Sequence, residues 1–148
     1  MKKILYFVVL FAAFSFLTSC ATICGGNKYW AHVEVPDHPN ASIKCNNEVK
    51  GKGSATFKVK RTQAKKLSIM VKDEGCDEQT FNYTKNTFRG WAFVGTIVTW
   101  TGSYYIPFGL IVDLANGALV KPNVKEKGVS KIDYKNFKYT LEYNGCKK

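Results

Sequence analysis

Ala31-His32-Val33-Glu34-Val35 alternates apolar and polar residues without a break, and the same period of two returns in Phe57-Lys58-Val59-Lys60 and in Leu67-Ser68-Ile69-Met70-Val71-Lys72. Successive side chains of a strand point to opposite faces, so this period predicts half-buried strands with the apolar members inward. Turn chemistry separates them: Pro36-Asp37-His38-Pro39-Asn40, then Asn46-Asn47 with Gly51 and Gly53, then Asp73-Glu74-Gly75. Five short strands within residues 29–84, on links too short for crossovers, predict a mainly β fold, a small antiparallel β-sandwich. Alternation returns near the end of the chain, where Phe137, Tyr139, Leu141 and Tyr143 oppose Lys138, Thr140 and Glu142. That last strand is expected to pair with the first half, which makes everything between them an insertion in one domain spanning residues 29–148.

Within this region Val33-Glu34-Val35-Pro36, Pro39-Asn40-Ala41-Ser42-Ile43, Asn47, Gly51 and Val71-Lys72-Asp73-Glu74-Gly75 together resemble a PEGA-type domain, a small sandwich of bacterial surface and periplasmic proteins. The likeness covers roughly residues 30–84. The family's Pro-Glu-Gly-Ala turn is here Pro39-Asn40-Ala41, without the Gly, and Cys76 stands in place of an expected aromatic. The resemblance implies binding or scaffolding and carries no catalytic residues over.

Residues 90–112 lie between Arg89 and Asp113 and contain no charge. Gly95, Gly102 and Gly109 recur every seven residues, near one helix face, where small side chains allow close helix approach. On the other arm Ile111, Leu114, Ala115 and Ala118 form a helical apolar stripe. The stretch is similar to a glycine-rich segment of small bacterial lipoproteins. It predicts a helical hairpin over about residues 90–120, turning between Gly102 and Pro107. Three placements stay open: a single transmembrane helix, a hairpin packed on the sandwich, or a hairpin lying in a membrane interface, a position that suits Trp91, Trp100, Tyr104 and Tyr105.

The chain opens with Met1-Lys2-Lys3, an uncharged run, and Leu17-Thr18-Ser19-Cys20, which resembles the lipobox of bacterial lipoproteins. The resemblance implies a signal peptide at residues 1–19 that is cleaved, a lipid on Cys20 as the only prosthetic group, and a tether over residues 20–28. At roughly 0.8 kcal/mol per buried methylene, two or three acyl chains amount to permanent anchoring. Ala21 follows the cysteine where an inner-membrane retention signal would place Asp, and no acidic run follows. The expected address is therefore the outer membrane, facing the periplasm.

Cleavage leaves 129 of the 148 residues, enough for one domain with its own core, and lowers the formal charge from +11 to +9 as Lys2 and Lys3 depart. In an envelope the matching counter-charges are anionic lipid and acidic glycan, besides envelope proteins; nucleic acid is not an expected partner. Four cysteines besides Cys20 predict two disulfides in an oxidising compartment. Cys45 faces inward on its strand and Cys76 follows a nearby turn, so the expected pairs are Cys45–Cys76 and Cys24–Cys146. No C-x-x-C spacing points to zinc. His32 with Glu34, and His38 with Asp37, supply the acid/base groups that could be drawn into a site, and turn or surface roles account for them; no enzyme is expected. The function that follows is a lipid-anchored envelope interaction or scaffolding module. The alternative is a membrane-active or assembly protein whose hairpin inserts into lipid or oligomerises.

Overall fold

The structure is a computed structural model that describes Tyr6, residues 26–100 and residues 108–146. Cys20, Cys24, Gly102, Tyr104 and Tyr105 lie outside the described residues, as do the signal peptide apart from Tyr6, and most of the tether. The elements are β1 (Lys28–Glu34), β2 (Ser42–Cys45), β3 (Glu48–Lys52), β4 (Ser54–Lys60), a 3-10 turn (Arg61–Lys66), β5 (Leu67–Lys72), β6 (Gln79–Tyr83) and β7 (Asn86–Phe88), then α1 (Gly90–Trp100), α2 (Phe108–Asn116), β8 (Val120–Pro122), β9 (Val129–Lys131) and β10 (Asn136–Thr140).

The fold is mainly β, as the period of two predicts. Eight strands form one hydrogen-bonded sheet in the order β6-β5-β2-β3-β4-β1-β10-β9, and β7 with β8 forms a separate ribbon. Two expectations are corrected here. The sheet is continuous rather than two stacked halves, and it is not wholly antiparallel: β1 runs antiparallel to β4 but parallel to β10, with Trp30 opposite Asn136 and Glu34 opposite Thr140. A parallel pair needs a long connection, and the hundred or so residues between these strands supply it. The last strand does close on the first half of the chain.

The sheet curls until its ends face each other across one core. Tyr83 of β6 meets Tyr139 of β10 edge to face at 4.8 Å, and the Glu126 carboxylate accepts from the amides of Thr84 and Lys85. The inward set is the one the alternation marks: Ala31, Val33, Val35, Ile43, Leu67, Ile69, Val71, Phe137, Tyr139, Leu141 and Tyr143 are all buried. Sharp turns need the residues found there. Asn46 and Asn47 both hold positive φ, at 53° and 64°, the twist that a two-residue hairpin between β2 and β3 requires. Gly53 has φ 61°, and a Cβ there would sit 2.2 Å from the Pro39 carbonyl oxygen, so the β3–β4 turn and the β1–β2 loop pack backbone to backbone.

At one end of the core lies Arg61, fully buried. Its Nε donates to the Gly26 carbonyl at 3.2 Å, Nη1 to Val120 at 3.3 Å and Nη2 to Tyr134 at 3.1 Å. The cation also stands over the Tyr29 ring at 5.9 Å. Burial, with repulsion from Arg89, pulls its pKa down to about 10. One side chain thus joins the segment before β1, the ribbon strand β8 and the β9–β10 loop. Deeper in the core, the hydroxyls of Tyr29 and Tyr139 share a hydrogen bond at 3.0 Å. Burial raises the phenols of Tyr29 and Tyr83 to about 12, and burial with the neighbouring phenol raises Tyr139 as well.

Two expected outcomes follow from this core. Arg61→Leu removes three part-buried hydrogen bonds from a charged donor, each worth about 1 kcal/mol or more, so urea denaturation should show a loss of about 3 kcal/mol, with Arg61→Lys recovering only part of it. The raised phenol pKa values mean that folding favours the neutral tyrosines. The stability they contribute is complete below pH about 10 and is lost as pH climbs toward about 12. Ultraviolet titration should therefore show these phenols ionising late and together with unfolding, and a simple titration at ordinary tyrosine values would contradict the packing.

Candidate functional site

The uncharged stretch forms two short helices whose ends are tied together. β7 and β8 pair antiparallel with Phe88 opposite Val120, so the chain leaves and re-enters the hairpin at one place. That pairing rules out a single transmembrane crossing, since both ends lie on the same side. No helix among the described residues is long and apolar enough to cross a membrane.

The base of the hairpin is polar and buried, although the sequence around it is apolar. The two charges that bracket the stretch, Arg89 and Asp113, are both buried, at 2% and 0% exposure. Arg89 Nη1 donates to the Ala118 carbonyl at 2.6 Å, and the Arg89 amide donates to Leu119. Burial lowers the Arg89 pKa, and the nearby Asp113 charge opposes that shift. Ala92, Ala118 and Leu119 make a small second core with Phe93 and Leu110 against it. Gly117 ends α2 at φ 69°, and a Cβ there would meet Thr62 at 2.8 Å, so the end of α2 rests directly on the 3-10 turn.

Among the described residues, the outer faces of both helices carry exposed apolar side chains. Trp91 is 53% exposed, Val94 59%, Ile111 54% and Leu114 61%, with Ile97 and Phe88 also exposed. Of the helical stripe Ile111, Leu114, Ala115 and Ala118, the first three face outward and only Ala118 is buried. The physical reason is the base itself, because burying Asp113 beside Arg89 turns the opposite side of α2 away from the domain. Arg89 also lies over the Trp91 ring at 4.8 Å. Gly95, Gly109 and Trp100 fall within α1 and α2, and the packing of their side-chain positions lies outside the described residues.

The histidines separate. His32 is held between neighbouring strands, with Nδ1 3.0 Å from Thr56 Oγ1 and Nε2 2.9 Å from Asn136 Oδ1, while Glu34 pairs with Lys138 at 2.7 Å. His32 and Glu34 therefore form no shared site. His38 turns to Asp73 rather than to Asp37, with Nδ1 2.8 Å from Oδ2. The Glu74 amide donates to the other Asp73 oxygen, and these bonds hold the Asp73 carboxyl below its ordinary value. The Tyr143 ring packs edge-on against His38 at 4.9 Å.

Beside this pair lies the disulfide, and it is not the expected one: Cys76 is bonded to Cys146, and Cys45 is free and buried. Register explains the correction. On β2 and β5, Ser42 is opposite Lys72 and Cys45 opposite Ile69, so Cys45 sits at the far end of its strand from the turn that carries Cys76. The C-terminal stretch comes to that turn instead. Asp77 donates to the Gly145 carbonyl, Tyr143 Oη donates to the Asp77 carbonyl at 2.6 Å, and Asn144 donates to Gln79. With Cys146 taken, the pair Cys24–Cys146 is excluded as well. Burial raises the Cys45 thiol above its ordinary pKa.

Asp73, Arg61 and Arg89 were not marked by sequence reasoning. Arg89 carried a signal, as the last charge before an uncharged run. Asp73 and Arg61 carried none, since their partners lie 35 to 73 residues away.

Peptide mapping under non-reducing conditions should return a linked Cys76–Cys146 peptide and a Cys45 thiol that alkylates only after denaturation. The bridge closes a loop of 70 residues, so its removal should cost about 4 kcal/mol.

Comparison of the chain with protein-family models, curated proteins and solved structures finds no match in any of the three.

Proposed function

We propose that this chain is a lipid-anchored module of a bacterial cell envelope, held at the outer membrane through Cys20, whose helical hairpin lies in the membrane interface and whose β domain serves as the interaction or scaffolding surface. One observation carries the reading: Trp91, Val94, Ile97 and Ile111, within the uncharged stretch, and Leu114, just past the buried Asp113, are exposed together on α1 and α2. A contiguous apolar patch of this kind supports a contact with lipid or protein. The lipobox resemblance implies a lipid on Cys20 of the same molecule, and Trp91 suits the boundary between head groups and acyl chains. Burying five half-exposed side chains contributes about 1 kcal/mol each. Lys65 and Lys66, on the 3-10 turn that supports α2, and Lys85, next to β7, add attraction to anionic head groups, about 1 kcal/mol apiece near such a surface. The PEGA-type resemblance supports the scaffolding role of the β domain.

The chain beginning after Cys20 lacks acyl chains and isolates the hairpin's contribution. It should bind vesicles, more tightly when they are anionic and less tightly in high salt, with Trp91 emission moving to the blue. Val94→Asp with Leu114→Asp should weaken binding by tenfold or more (about 1.4 kcal/mol) while leaving the circular dichroism unchanged. A domain that ignores both kinds of vesicle would overturn the interfacial reading.

A further inference from the structure

Three separate segments converge at the end of the sheet opposite Arg61's ribbon contact: the β1–β2 loop brings His38, the β5–β6 turn brings Asp73 and Cys76, and the C-terminal stretch brings Cys146. His38 Nδ1 lies 2.8 Å from Asp73 Oδ2 and 3.9 Å from Cys146 Sγ, and the ligating atoms of the three residues all fall within 4.8 Å of one another. We propose that the Cys76–Cys146 disulfide and a zinc-class metal ion are alternative occupants of one site, the metal being held in the reduced protein by both cysteine thiolates, His38 Nδ1 and Asp73 Oδ2.

The donor set and its spacing favour this. Tetrahedral Zn²⁺, with nitrogen and oxygen at about 2.0–2.1 Å and sulfur at about 2.3 Å, holds its ligands roughly 3.3–3.8 Å apart. The His38–Asp73 pair needs to open by only about half an ångström to reach that spacing, and the His38–Cys146 separation is already near it. Two thiolates with an imidazole select zinc over calcium or magnesium. The surroundings fix the ligands as a metal site requires: the Glu74 amide holds the second Asp73 oxygen, Tyr143 packs against the His38 ring, and its hydroxyl ties down the Asp77 carbonyl beside Cys76. All three residues are partly exposed, which leaves an entry path.

The exchange balances. A dithiol reductant gives two electrons and two protons to the disulfide; the S–S bond breaks, Cys76 and Cys146 become thiols, and the reductant leaves as its own disulfide. Zinc then displaces the two thiol protons; His38, whose Nδ1–H donates to the Asp73 carboxylate, passes that proton to solvent and carries its remaining ring proton on Nε2, so that the Nδ1 lone pair is free for the metal. Exchange with a disulfide oxidant re-forms the Cys76–Cys146 bond, reduces the oxidant to two thiols with two protons from solvent, and releases the ion.

The test uses the full chain in detergent with Cys20→Ser, Cys24→Ser and Cys45→Ala, so that Cys76 and Cys146 are the thiols observed. Zinc and cobalt are titrated into oxidised and phosphine-reduced protein. Reduced protein should take up one ion per chain, about a hundredfold or more tighter than oxidised protein, with the cobalt form showing sulfur-to-metal charge transfer and tetrahedral bands. His38→Gln and Asp73→Asn, each close in size to the original, should weaken that uptake by about tenfold or more. In the otherwise unchanged chain, zinc should protect Cys76 and Cys146 from alkylation after reduction. Equal affinity in both redox states, uptake indifferent to His38 and Asp73, or absence of alkylation protection would each overturn the proposal.

Discussion

A fully buried guanidinium holds this domain together at its open end. Arg61 gives its donors to three main-chain carbonyls belonging to the chain before β1, the ribbon beneath the hairpin and the loop between β9 and β10. Arginine suits the position because its planar fork presents donors in several directions at once and stays charged even with its pKa pulled down to about 10. These segments are far apart in sequence, and of the three only the start of β1 and the β9–β10 loop are also joined by a sheet ladder, that of β1 with β10. Arg61, backed by the Tyr29 ring, thus sits at the junction where the 3-10 turn packs on β8 and on the end of α2 at Gly117.

The hairpin inherits its orientation from that junction. Arg89 and Asp113 are buried at its base with Ala92, Ala118 and Leu119, and Phe93 and Leu110 pack against that cluster. Trp91, Val94, Ile111 and Leu114 point away from the domain. The hairpin is thus apolar on both sides of its base, with a small inner core around Ala92, Ala118 and Leu119 and an exposed apolar outer set.

At the other end of the core the chain is closed covalently. The Cys76–Cys146 bridge, the Tyr143 hydroxyl and the Asn144 amide fasten the C-terminal stretch to the β5–β6 turn, next to the seam where β6 and β10 face each other through Tyr83 and Tyr139. His38 and Asp73 are drawn into this same corner, so the staple and the one His–carboxylate pair among the described residues share a site.

The strands were legible in the sequence because burial on one face imposes a period of two, and nearly every inward residue so marked is in the core. The helical hairpin was legible from its lack of charge and its glycines, and the closing strand from the return of alternation at Phe137 and Tyr139. Sequence could not give direction across long separations: the parallel pairing of β1 with β10 depends on how the sheet curls, not on either strand's pattern. Nor could it give cysteine connectivity, since inward-facing Cys45 is placed at the wrong end of β2 by a register that only the sheet defines. The stripe on α2 was recognised as apolar, but which side of it faces outward was decided by two buried charges at its base. Local periodicity thus determined the elements. The tertiary structure decided their register, the disulfide, and the meeting of His38 with Asp73, because each of these depends on distances between residues that the chain separates and only packing brings together.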